Sequence, residues 1–291
     1  MYDRGQLATL AAVLDTGSFE AAARELHLTP SAISQRIRGL EDVAGAVLVQ
    51  RVRPCVATTA GEHLLRLARQ VADLEADTDA VLQHRDAHAT LAIAANADSV
   101  STWFVDALRT AGATTGAAFD VRVDDENHTA ALLRSGVVMG AVTTAAEAVQ
   151  GCRSVPLGSL RYRAVASPDL AILDLPSLVA APQARFHATD HIPAQLAARA
   201  TRRPLTGIVH TLGAGDGYLA AIRAGLGWGA IPELLAAEHL ASGALVEVAG
   251  GRHLDVALHW QHWRIASAPL LALTDAVVST ARTHLVRHRR R

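Results

Sequence analysis

Residues 18–41, SFEAAARELHLTPSAISQRIRGLE, contain two short helical patterns separated by only a few residues. Ser18 is a favourable N-cap for the first helix, and Thr29 followed by Pro30 is a favourable start for the second. The alanines of the first pattern recur at helical spacing and leave room for another helix to approach closely. The stretch therefore predicts two helices joined by a tight turn.

The second helix has one apolar and one polar side. Ile33, Ile37 and Leu40 recur at helical spacing and are predicted to face inward. A short-chained polar side suits a helix entering the DNA major groove, where Gln pairs with adenine, Arg with guanine, and Ser or Arg holds phosphate. The alternative is a solvated face of a generic helical bundle, because such patterns are common. The polar candidates are Ser31, Ser34, Gln35, Arg36 and Arg38.

The flanks favour DNA binding. Residues 6–17, QLATLAAVLDTG, predict a helix before the pair, and residues 46–61, AVLVQRVRPCVATTAG, predict a short hairpin after it. Arg51 and Arg53 are two apart and would point to one side of a strand, towards backbone phosphate or the minor groove. Three helices followed by a basic hairpin form a winged helix-turn-helix.

Residues 59–83 predict one long helix with a narrow apolar seam. Leu64, Leu67, Val71 and Leu74 repeat at steps of three and four, and no Gly or Pro interrupts the pattern after Gly61. Such a seam favours pairing of two helices from two chains. Two DNA-binding units could then contact a two-fold symmetric operator. The alternative is packing of the seam on its own domain.

The composition is that of an ordinary globular protein, with 50% of the 291 residues apolar and 19% charged. The formal net charge is -1 and every basic residue is arginine, so affinity for DNA must come from local clusters. No apolar run approaches the ~18 residues of a membrane span, and no signal-peptide pattern opens the chain. Cys55 and Cys152 form no metal or redox spacing. The expectation is a cytoplasmic protein without disulfides.

The remainder of the chain alternates between strand and helix patterns. TLAIAANA reads as a strand, DSVSTWFVDALRTAG as a helix and AAFDVRVDD as a strand, and similar alternation continues to a closing helix. This alternation predicts α/β layers with a largely parallel sheet. The fold class is therefore α/β overall, with a winged helix-turn-helix and a long helix in front.

Residues 1–83 resemble the N-terminal part of LysR-type transcriptional regulators. The matching stretches are FEAAARELHLTPSAISQRIRGLE, then LVQR, then TTAGEHLL leading into the long helix. The family usually has Leu-Phe where this chain has Leu48 and Val49, which is a change in packing. The resemblance implies a two-lobed, periplasmic-binding-protein-like effector domain, whose hinged lobes can switch with ligand.

The resemblance also implies boundaries. The chain should cross between the lobes near 159–163 and again near 262–267, and the last helix should return to the first lobe. The expected domains are a DNA-binding domain at 1–58, a linker and dimerisation helix at 59–87, and an effector-binding domain at 88–291, with lobe 1 at 88–160 and 265–291 and lobe 2 at 161–264.

Residues 96–103, NADSVSTW, are the best clue to a ligand, because they lie where a strand turns into a helix. Exposed N–H groups and the hydroxyls of Ser99 and Ser101 could hold a carboxylate there. Asp98 adds a negative charge, so a purely anionic ligand would be poorly matched. A zwitterion with an additional positive charge would fit better.

The stretches NADS, VDDE, FHATD and LHWQHW are similar to the ArgP/LysG (IciA) branch of the family. That branch senses basic amino acids and controls their export or related metabolism, which implies lysine, arginine or histidine as effector. Carried over by position, Asp98 and Ser99 would lie in the ligand wall of lobe 1, and Asp190 in that of lobe 2. Asp216 matches an acidic position, usually Glu, at a helix start. The alternative for each aspartate is a helix cap or a turn residue.

The sequence gives little support for an enzymatic function. Histidine pairs such as His259 with His262, His187 with His191, and His284 with His288 have spacings that a metal could use, but no HExxH motif or cysteine pair accompanies them. GAGDGY at 213–218 lacks the full dinucleotide fingerprint, and neither a nucleophile elbow nor a Walker A motif is present. We therefore expect a non-enzyme with no catalytic residue, no bound metal and no cofactor.

Two functional hypotheses remain. The first is a DNA-binding regulator that responds to a basic amino acid; the second is a ligand-independent DNA binder of the replication-inhibitor or nucleoid type. The expected partners are double-stranded operator DNA, the amino acid effector and a second copy of the chain, as a homodimer or tetramer. RNA polymerase is a further candidate, and no membrane partner is expected.

Overall fold

The computed structural model describes residues 1–83, 90–123, 126–172, 174–213 and 215–287. The expected boundary at residues 87 and 88 lies outside these ranges, as do Asp124 and Asp125 of the VDDE stretch and His288. Within the ranges described, none of the helices has both the length and the apolar character of a bilayer span.

The first three helices form the core of an N-terminal head. They are α1 (Arg4–Thr16), α2 (Phe19–Glu25) and α3 (Pro30–Ala44). Each begins behind a side chain that accepts a backbone N–H, which satisfies a donor that lacks an intrahelical partner. The two helices and tight turn predicted from residues 18–41 are confirmed. The cap pairs are Asp3 with Gln6 at 3.0 Å, Ser18 with Ala21 at 3.0 Å and Thr29 with Ala32 at 3.2 Å.

A small hairpin completes the head. Strands β1 (Val49–Gln50) and β2 (Val56–Ala57) pair antiparallel. Leu48, just before β1, is fully buried with Ile33, Ile37 and Leu40 of α3. The Leu48 N–H donates to the Glu41 carboxylate at 2.9 Å, which ties the hairpin to α3. The predicted winged helix-turn-helix is confirmed.

The long helix α4 (Thr59–Gln83) follows directly. Its first turns pack on the head, where Leu64 and Ala68 are buried. Its later turns expose apolar side chains, with Leu74 38% and Leu82 71% accessible. The predicted seam is therefore divided: its first part packs within this chain, and only its later part is open to a second helix.

The C-terminal part of the chain begins with lobe 1. Strand β3 pairs parallel with both β4 and β5. A π-helical turn at Val100–Phe104 joins the short helix α5 to α6. The elements in chain order are β3 (Thr90–Ala95), α5 (Ala97–Ser99), α6 (Val105–Thr115), β4 (Ala118–Val123), α7 (Glu126–Arg134), β5 (Gly140–Thr143) and β6 (Cys152–Ala166).

Lobe 2 is built around a second group of elements, and the chain then returns to lobe 1. Strands β7 and β8 form a separate parallel pair. The elements are α8 (Leu175–Ala180), β7 (Gln183–Arg185), α9 (Ile192–Thr201), β8 (Val209–Thr211), α10 (Gly215–Arg223), β9 (Gly229–Pro232), α11 (Glu233–Ala241), β10 (Val246–Glu247), β11 (His253–Trp263) and α12 (Ala268–His284).

The main sheet is mixed rather than largely parallel. Its order is β10-β6-β11-β5-β3-β4, with β9 also on β6. Strands β6 and β11 are long, run antiparallel to each other and belong to both lobes. All pairings that involve them are antiparallel, whereas the strands confined to lobe 1 pair parallel. The sequence pattern missed this because alternation of strands and helices does not reveal which strands cross.

The two crossings lie opposite each other in these strands. The register between β6 and β11 shifts between Leu258 and His259, opposite Gly158. From His259 to His262, β11 pairs with β5 of lobe 1. The second crossing therefore lies near Leu258, earlier than the expected 262–267, and residues 259–264 belong to lobe 1.

The core of lobe 1 is rich in tryptophan. Trp103, Phe104, Trp260 and Trp263 are fully buried. The rings of Trp103 and Phe104 meet edge to face at 5.5 Å between centroids, a favoured aromatic geometry. The indole N–H of Trp260 donates to Thr274 of α12 at 3.1 Å, and α12 packs on α6. The last helix therefore packs against elements of lobe 1.

Candidate DNA interface and ligand cleft

Helix α3 presents the predicted polar side. Ile33, Ile37 and Leu40 are fully buried, whereas Ser31, Gln35 and Arg38 are exposed. The flanking Ser34 and Arg36 are half-buried. The Ser31 hydroxyl lies 2.9 Å from that of Thr29, so it belongs to the cap of the helix. The first turns of α3 thus offer short polar side chains outward, which is the shape needed to approach base edges.

The hairpin adds a second basic surface. Arg51 and Arg53 are both exposed. The Arg51 guanidinium lies 4.8 Å from the centroid of the Phe19 ring at the start of α2, a cation–π contact. This contact holds the hairpin against the helix pair. Nothing in the sequence spacing indicates the pairing of Phe19 with Arg51.

Asp98 lies at the end of β3, where α5 begins. Asn96 caps this turn by accepting the Ser99 N–H at 2.8 Å. The Asp98 carboxylate accepts a hydrogen bond from the Tyr162 hydroxyl at 2.7 Å. Tyr162 is buried in the crossing strand β6. The predicted ligand residue of lobe 1 is therefore tied to the joint between the lobes.

The two serines of this stretch have different environments. Ser99 is fully buried, and its hydroxyl has no hydrogen-bond partner among the described residues. Its N–H donates to the side chain of Asn96, so it is not among the exposed N–H groups expected at this helix start. The exposed Ser101 donates its hydroxyl to the Ala97 carbonyl at 2.9 Å. Of the two, only Ser99 retains an unused hydroxyl at the helix start.

Asp190 closes a turn in lobe 2. Its Oδ2 accepts the Phe186 N–H at 3.2 Å, and its Oδ1 accepts the Ile192 N–H at 3.0 Å. These contacts fix the segment between β7 and α9. Each carboxylate oxygen can accept more than one hydrogen bond, so this local role is compatible with contact to a cation.

Tyr218 is a buried phenol whose pKa is influenced by both predicted aspartates. Its hydroxyl is buried, accepts the Ala230 N–H at 3.0 Å and donates to the Ala230 carbonyl at 3.2 Å. Burial raises the pKa of Tyr218 well above its ordinary value, and the carboxylates of Asp190 and Asp98 raise it further. Both negative charges thus act on one phenol, although they come from opposite lobes.

Asp216 has a different setting. It is exposed in the first turn of α10, two residues before the buried Tyr218. Among the histidines, His262 is buried, and its Nδ1 lies 2.7 Å from the Trp263 carbonyl. Burial lowers the pKa of His262. In the part of the chain described here, no three His, Cys, Asp or Glu side chains are grouped as metal ligands.

Three residues that contact or influence the predicted ligand residues were missed from the sequence: Asn96, Tyr162 and Tyr218. Asn96 follows a strand and precedes a helix, so a capping analysis could have found it. Tyr162 lies between Arg161 and Arg163 in RYR, and alternation along a strand predicts that it points opposite to both. No local signal marks Tyr218, since its position depends on the packing of lobe 2.

Two family models together cover most of the chain. The model of the bacterial regulatory helix-turn-helix protein, lysR family, matches residues 5–62, and that of the LysR substrate binding domain matches residues 84–282. The chain belongs to the LysR family of bacterial transcriptional regulators.

Close relatives have this same two-part organisation. The lysine export transcriptional regulatory protein LysG of Corynebacterium efficiens is 42% identical over 96% of this chain and 98% of its own length. The crystal structure of ArgP from Mycobacterium tuberculosis is 44% identical, covers 99% of this chain and 100% of that one, and superposes with a TM-score of 0.91.

LysG from Corynebacterium glutamicum is represented by two structures, each 40% identical to this chain over 98% of its length. The structure with bound effector Arg covers 99% of that chain and gives a TM-score of 0.83. The other structure covers 100% of that chain and gives a TM-score of 0.62. The present structure is therefore more similar to the arrangement with bound Arg.

Proposed function

We propose that this LysR-family regulator responds to a basic amino acid, namely lysine, arginine or histidine, and controls basic amino acid export or metabolism. The observation that carries the proposal is the geometry at Asp98. Its carboxylate lies at a helix start beside the Ser99 hydroxyl, which is unpartnered among the described residues, and accepts the Tyr162 hydroxyl of the crossing strand at 2.7 Å. The relatives described above support it, because one is named for lysine export and another binds Arg.

The chemistry of the cleft matches such a ligand. A basic amino acid carries one carboxylate and two cationic groups. Asp98 and Asp190 supply two anions for the cations, and the buried Ser99 hydroxyl supplies a donor for the carboxylate. Charge-assisted hydrogen bonds in a site that excludes water are stronger than those in open solvent. Asp216, exposed at the start of α10, would contribute by steering cations towards the cleft.

On the DNA side, we assign different roles to the two basic surfaces. Gln35 and Arg38 of α3 would contact base edges, while Ser31, Ser34 and Arg36 hold the phosphates beside them. Arg51 and Arg53 of the hairpin would contact phosphate or the minor groove. The exposed end of the α4 seam would pair two chains, so that two heads contact a two-fold operator. The functional units would be 1–58, 59–87 and 88–291.

A ligand-independent binder of the replication-inhibitor or nucleoid type is not favoured. Such a protein has no need for a two-lobed domain in which a strand shared by both lobes contacts an acidic side chain at a helix start. We further propose that the chain acts as a regulator rather than an enzyme, works without a cofactor and acts in the cytoplasm, where its operator DNA is present.

Calorimetry on the full chain tests the ligand class. L-arginine, L-lysine or L-histidine should bind, whereas L-glutamate and L-leucine, which lack the second cation, should not. Footprinting upstream of the protein's own gene, with and without the ligand that binds, should give two different patterns. Failure of all three basic amino acids to bind at about millimolar concentration would refute the proposed effector, and a single unchanged footprint would favour the ligand-independent binder.

A further inference from the structure

The linker helix α4 carries a row of charged residues facing lobe 1. Arg66, Arg69, Asp73 and Asp77 follow one another at steps of three, four and four residues, so they lie on one side of the helix. We call these four residues the linker stripe. Two cations come first along the helix and two anions follow.

The cationic half contacts backbone carbonyls of lobe 1. Arg66 donates to the carbonyl oxygen of Gln150, in the loop before β6, and Arg69 donates to that of Ser135 at 3.2 Å. Ser135 directly follows α7, so its carbonyl belongs to the negative end of that helix. A guanidinium at this position satisfies a carbonyl that has no partner within the helix.

Arg69 also reaches the head. Its side chain is only 19% exposed, and its second terminal nitrogen pairs with the carboxylate of Asp15 in α1. One guanidinium on the linker therefore contacts both the end of α7 and the helix that supports α2 and α3. The Arg69 guanidinium is planar and its N–H donors have a fixed geometry. A shift of the Ser135 carbonyl therefore also changes the contact with Asp15.

The acidic half contacts the opposite end of another helix. The Asp77 carboxylate accepts the N–H of Ala268, the first residue of α12, at 3.3 Å. Asp73 lies beside Ser267, the N-cap residue of α12, and burial raises the pKa of Asp73. Ser267 makes no side-chain cap of its own. Carboxylates of the linker thus sit at the positive end of α12.

The charge order of the linker stripe matches the ends of the two helices. Its cations meet the C-terminal end of α7, and its anions meet the N-terminal end of α12. Isolated surface ion pairs contribute little to stability. A row of cations followed by anions, placed against two helix ends of opposite charge, instead favours one position of α4 along lobe 1 over others. Sliding the linker by one turn would move charges away from the helix ends that they match.

The backbones also approach closely at this joint. Gly136 has φ +72°, and a Cβ added there would lie 2.8 Å from the Cα of Arg66. A side chain at 136 would therefore force α4 away from lobe 1. Beside the contact is a cavity of about 800 Å³ between head and lobe 1, whose lining includes Asp15, Arg69 and Gly136. The head thus has room to shift if the contact opens.

We propose that the linker stripe is the interface by which lobe 1 holds the DNA-binding head in one orientation, and that Arg69 passes movements of lobe 1 to α1 through Asp15. The holding role stands on the contacts alone. The transmitting role rests on the proposed function, because it needs a ligand that moves the lobes. The two LysG structures from C. glutamicum differ in their match to this chain at equal identity, so the parts of such a regulator occur in more than one arrangement.

Amide hydrogen exchange on the full chain without ligand tests the holding role. The Ala268 N–H is a direct reporter, because Asp77 is its partner. Gly136→Ala should accelerate its exchange about tenfold. Gly243→Ala is the matched control. Gly243 has φ +74°, but among the described residues no atom beyond its chain neighbours lies within 4 Å of an added Cβ. The substitution therefore imposes similar backbone strain without a steric clash against a neighbouring element. If the exchange rate of the Ala268 amide is unchanged in both Gly136→Ala and Asp77→Ala, the proposed interface is refuted.

DNA affinity measured with and without L-arginine tests the transmitting role. L-arginine should change the dissociation constant for DNA by some factor in the unmodified chain. In Arg69→Ala and in Asp15→Ala, this factor should be at least about threefold closer to one. The variant that carries both substitutions should show no further reduction. Arg109→Ala removes an arginine that is 74% exposed and paired with Asp106 at 3.6 Å, and should leave this factor unchanged.

The two failures are distinguishable. If the unmodified chain does not respond to arginine, the proposed effector and the transmitting role fail together, while the exchange at Ala268 still decides the interface. If the unmodified chain responds and Arg69→Ala responds equally, transmission through Arg69 is refuted and the proposed effector stands.

Discussion

The hydroxyl of Tyr162 donates to the carboxylate of Asp98 at 2.7 Å, and this hydrogen bond links the two lobes. Asp98 lies at the helix start of lobe 1. Tyr162 lies in the crossing strand β6, where its backbone pairs with Pro232 and Leu254 of lobe 2. A change in the angle between the lobes therefore changes the geometry of a contact at the proposed ligand site.

Tyr162→Phe should weaken binding of the basic amino acid while leaving the fold intact. Phenylalanine keeps the ring in its buried position and removes the donor to Asp98. We expect a loss of about 1 kcal/mol in ligand affinity, roughly fivefold, because the carboxylate loses the hydrogen bond from Tyr162. Calorimetry with L-arginine on the full chain measures it, and Tyr2→Phe, at the exposed N-terminus, is the control.

The effect of Tyr162 should depend on Asp98. Asp98→Asn removes the charge and should cost about 1–3 kcal/mol of ligand affinity. If Tyr162 acts by positioning this carboxylate, adding Tyr162→Phe to Asp98→Asn should cost little more. Additive losses would mean that the tyrosine hydroxyl contacts the ligand independently.

Asp190→Asn should affect both ligand binding and folding. The amide retains one oxygen for either the Phe186 or the Ile192 N–H, so one of the two backbone contacts is lost. We expect a stability loss of about 1 kcal/mol and a loss of ligand affinity of about 1–3 kcal/mol. Urea unfolding and calorimetry separate the two quantities. Lost stability with unchanged ligand affinity would assign Asp190 to the turn alone.

The head could be predicted almost completely from the sequence, because its determinants are local. Ser18, Thr29 and Pro30 mark helix starts, and the spacing of Ile33, Ile37 and Leu40 sets the buried side of α3. Each of these signals acts within a few residues, so no knowledge of the rest of the fold is needed.

The cleft and the interdomain contact could be predicted only in part, because they depend on distant residues. The stretch at Asp98 was found from its place after a strand, but its partner Tyr162 is 64 positions further along the chain. Arg69 and Asp73 look like an ordinary solvated helix side, and only the packed lobe reveals the ends of α7 and α12 opposite them. The mixed sheet was missed for the same reason.

Substitutions on the head should separate base reading from phosphate contact. Gln35→Ala or Arg38→Ala should lose about 1–3 kcal/mol of discrimination between operator and random DNA. Arg53→Ala should weaken binding to both and flatten the salt dependence. Titrations at several salt concentrations provide the comparison. Equal, sequence-independent losses from all three would show that α3 does not read bases.

Arg51→Ala should behave as Arg53→Ala on DNA, with an additional effect on the head. The Arg51 guanidinium stacks on Phe19, so its removal should also lower stability by about 0.5–1 kcal/mol. Thermal unfolding of the two variants side by side gives the difference. Equal stabilities would mean that the stacking does not contribute.

Leu74→Asp should dissociate the assembly. Leu74 is 38% exposed on the later part of the α4 seam, so a charge there is tolerated in one chain and costly between two. Sedimentation should detect a smaller species, and operator affinity should fall. Leu234→Asp, at a leucine 41% exposed on α11, is the matched control. An unchanged assembly would place the dimer contact elsewhere.

Acid should remove the contribution of the pair between Arg161 and Asp255. Arg161 donates twice to this carboxylate, at 2.8 and 2.9 Å, and joins β6 to β11 in lobe 2. The hydrogen bond from Arg161 lowers the pKa of Asp255 below its ordinary value, although burial opposes it. A lowered folded-state pKa means that the unfolded chain binds the proton more readily. The stabilisation is therefore complete above the unfolded-state pKa of about 4, and is lost as pH falls through the folded-state value.

Asp255→Asn should thus be less stable than the unmodified chain by about 1 kcal/mol at about pH 7, a modest value because both side chains are partly exposed. The difference should shrink as the pH falls below about 4. Urea midpoints at about pH 3 and about pH 7 give the two differences. Asp106→Asn, which breaks the more exposed and longer pair with Arg109, should change stability less at about pH 7. A difference for Asp255→Asn that stays constant with pH would mean that the neutral carboxyl group, rather than its charge, provides the stabilisation.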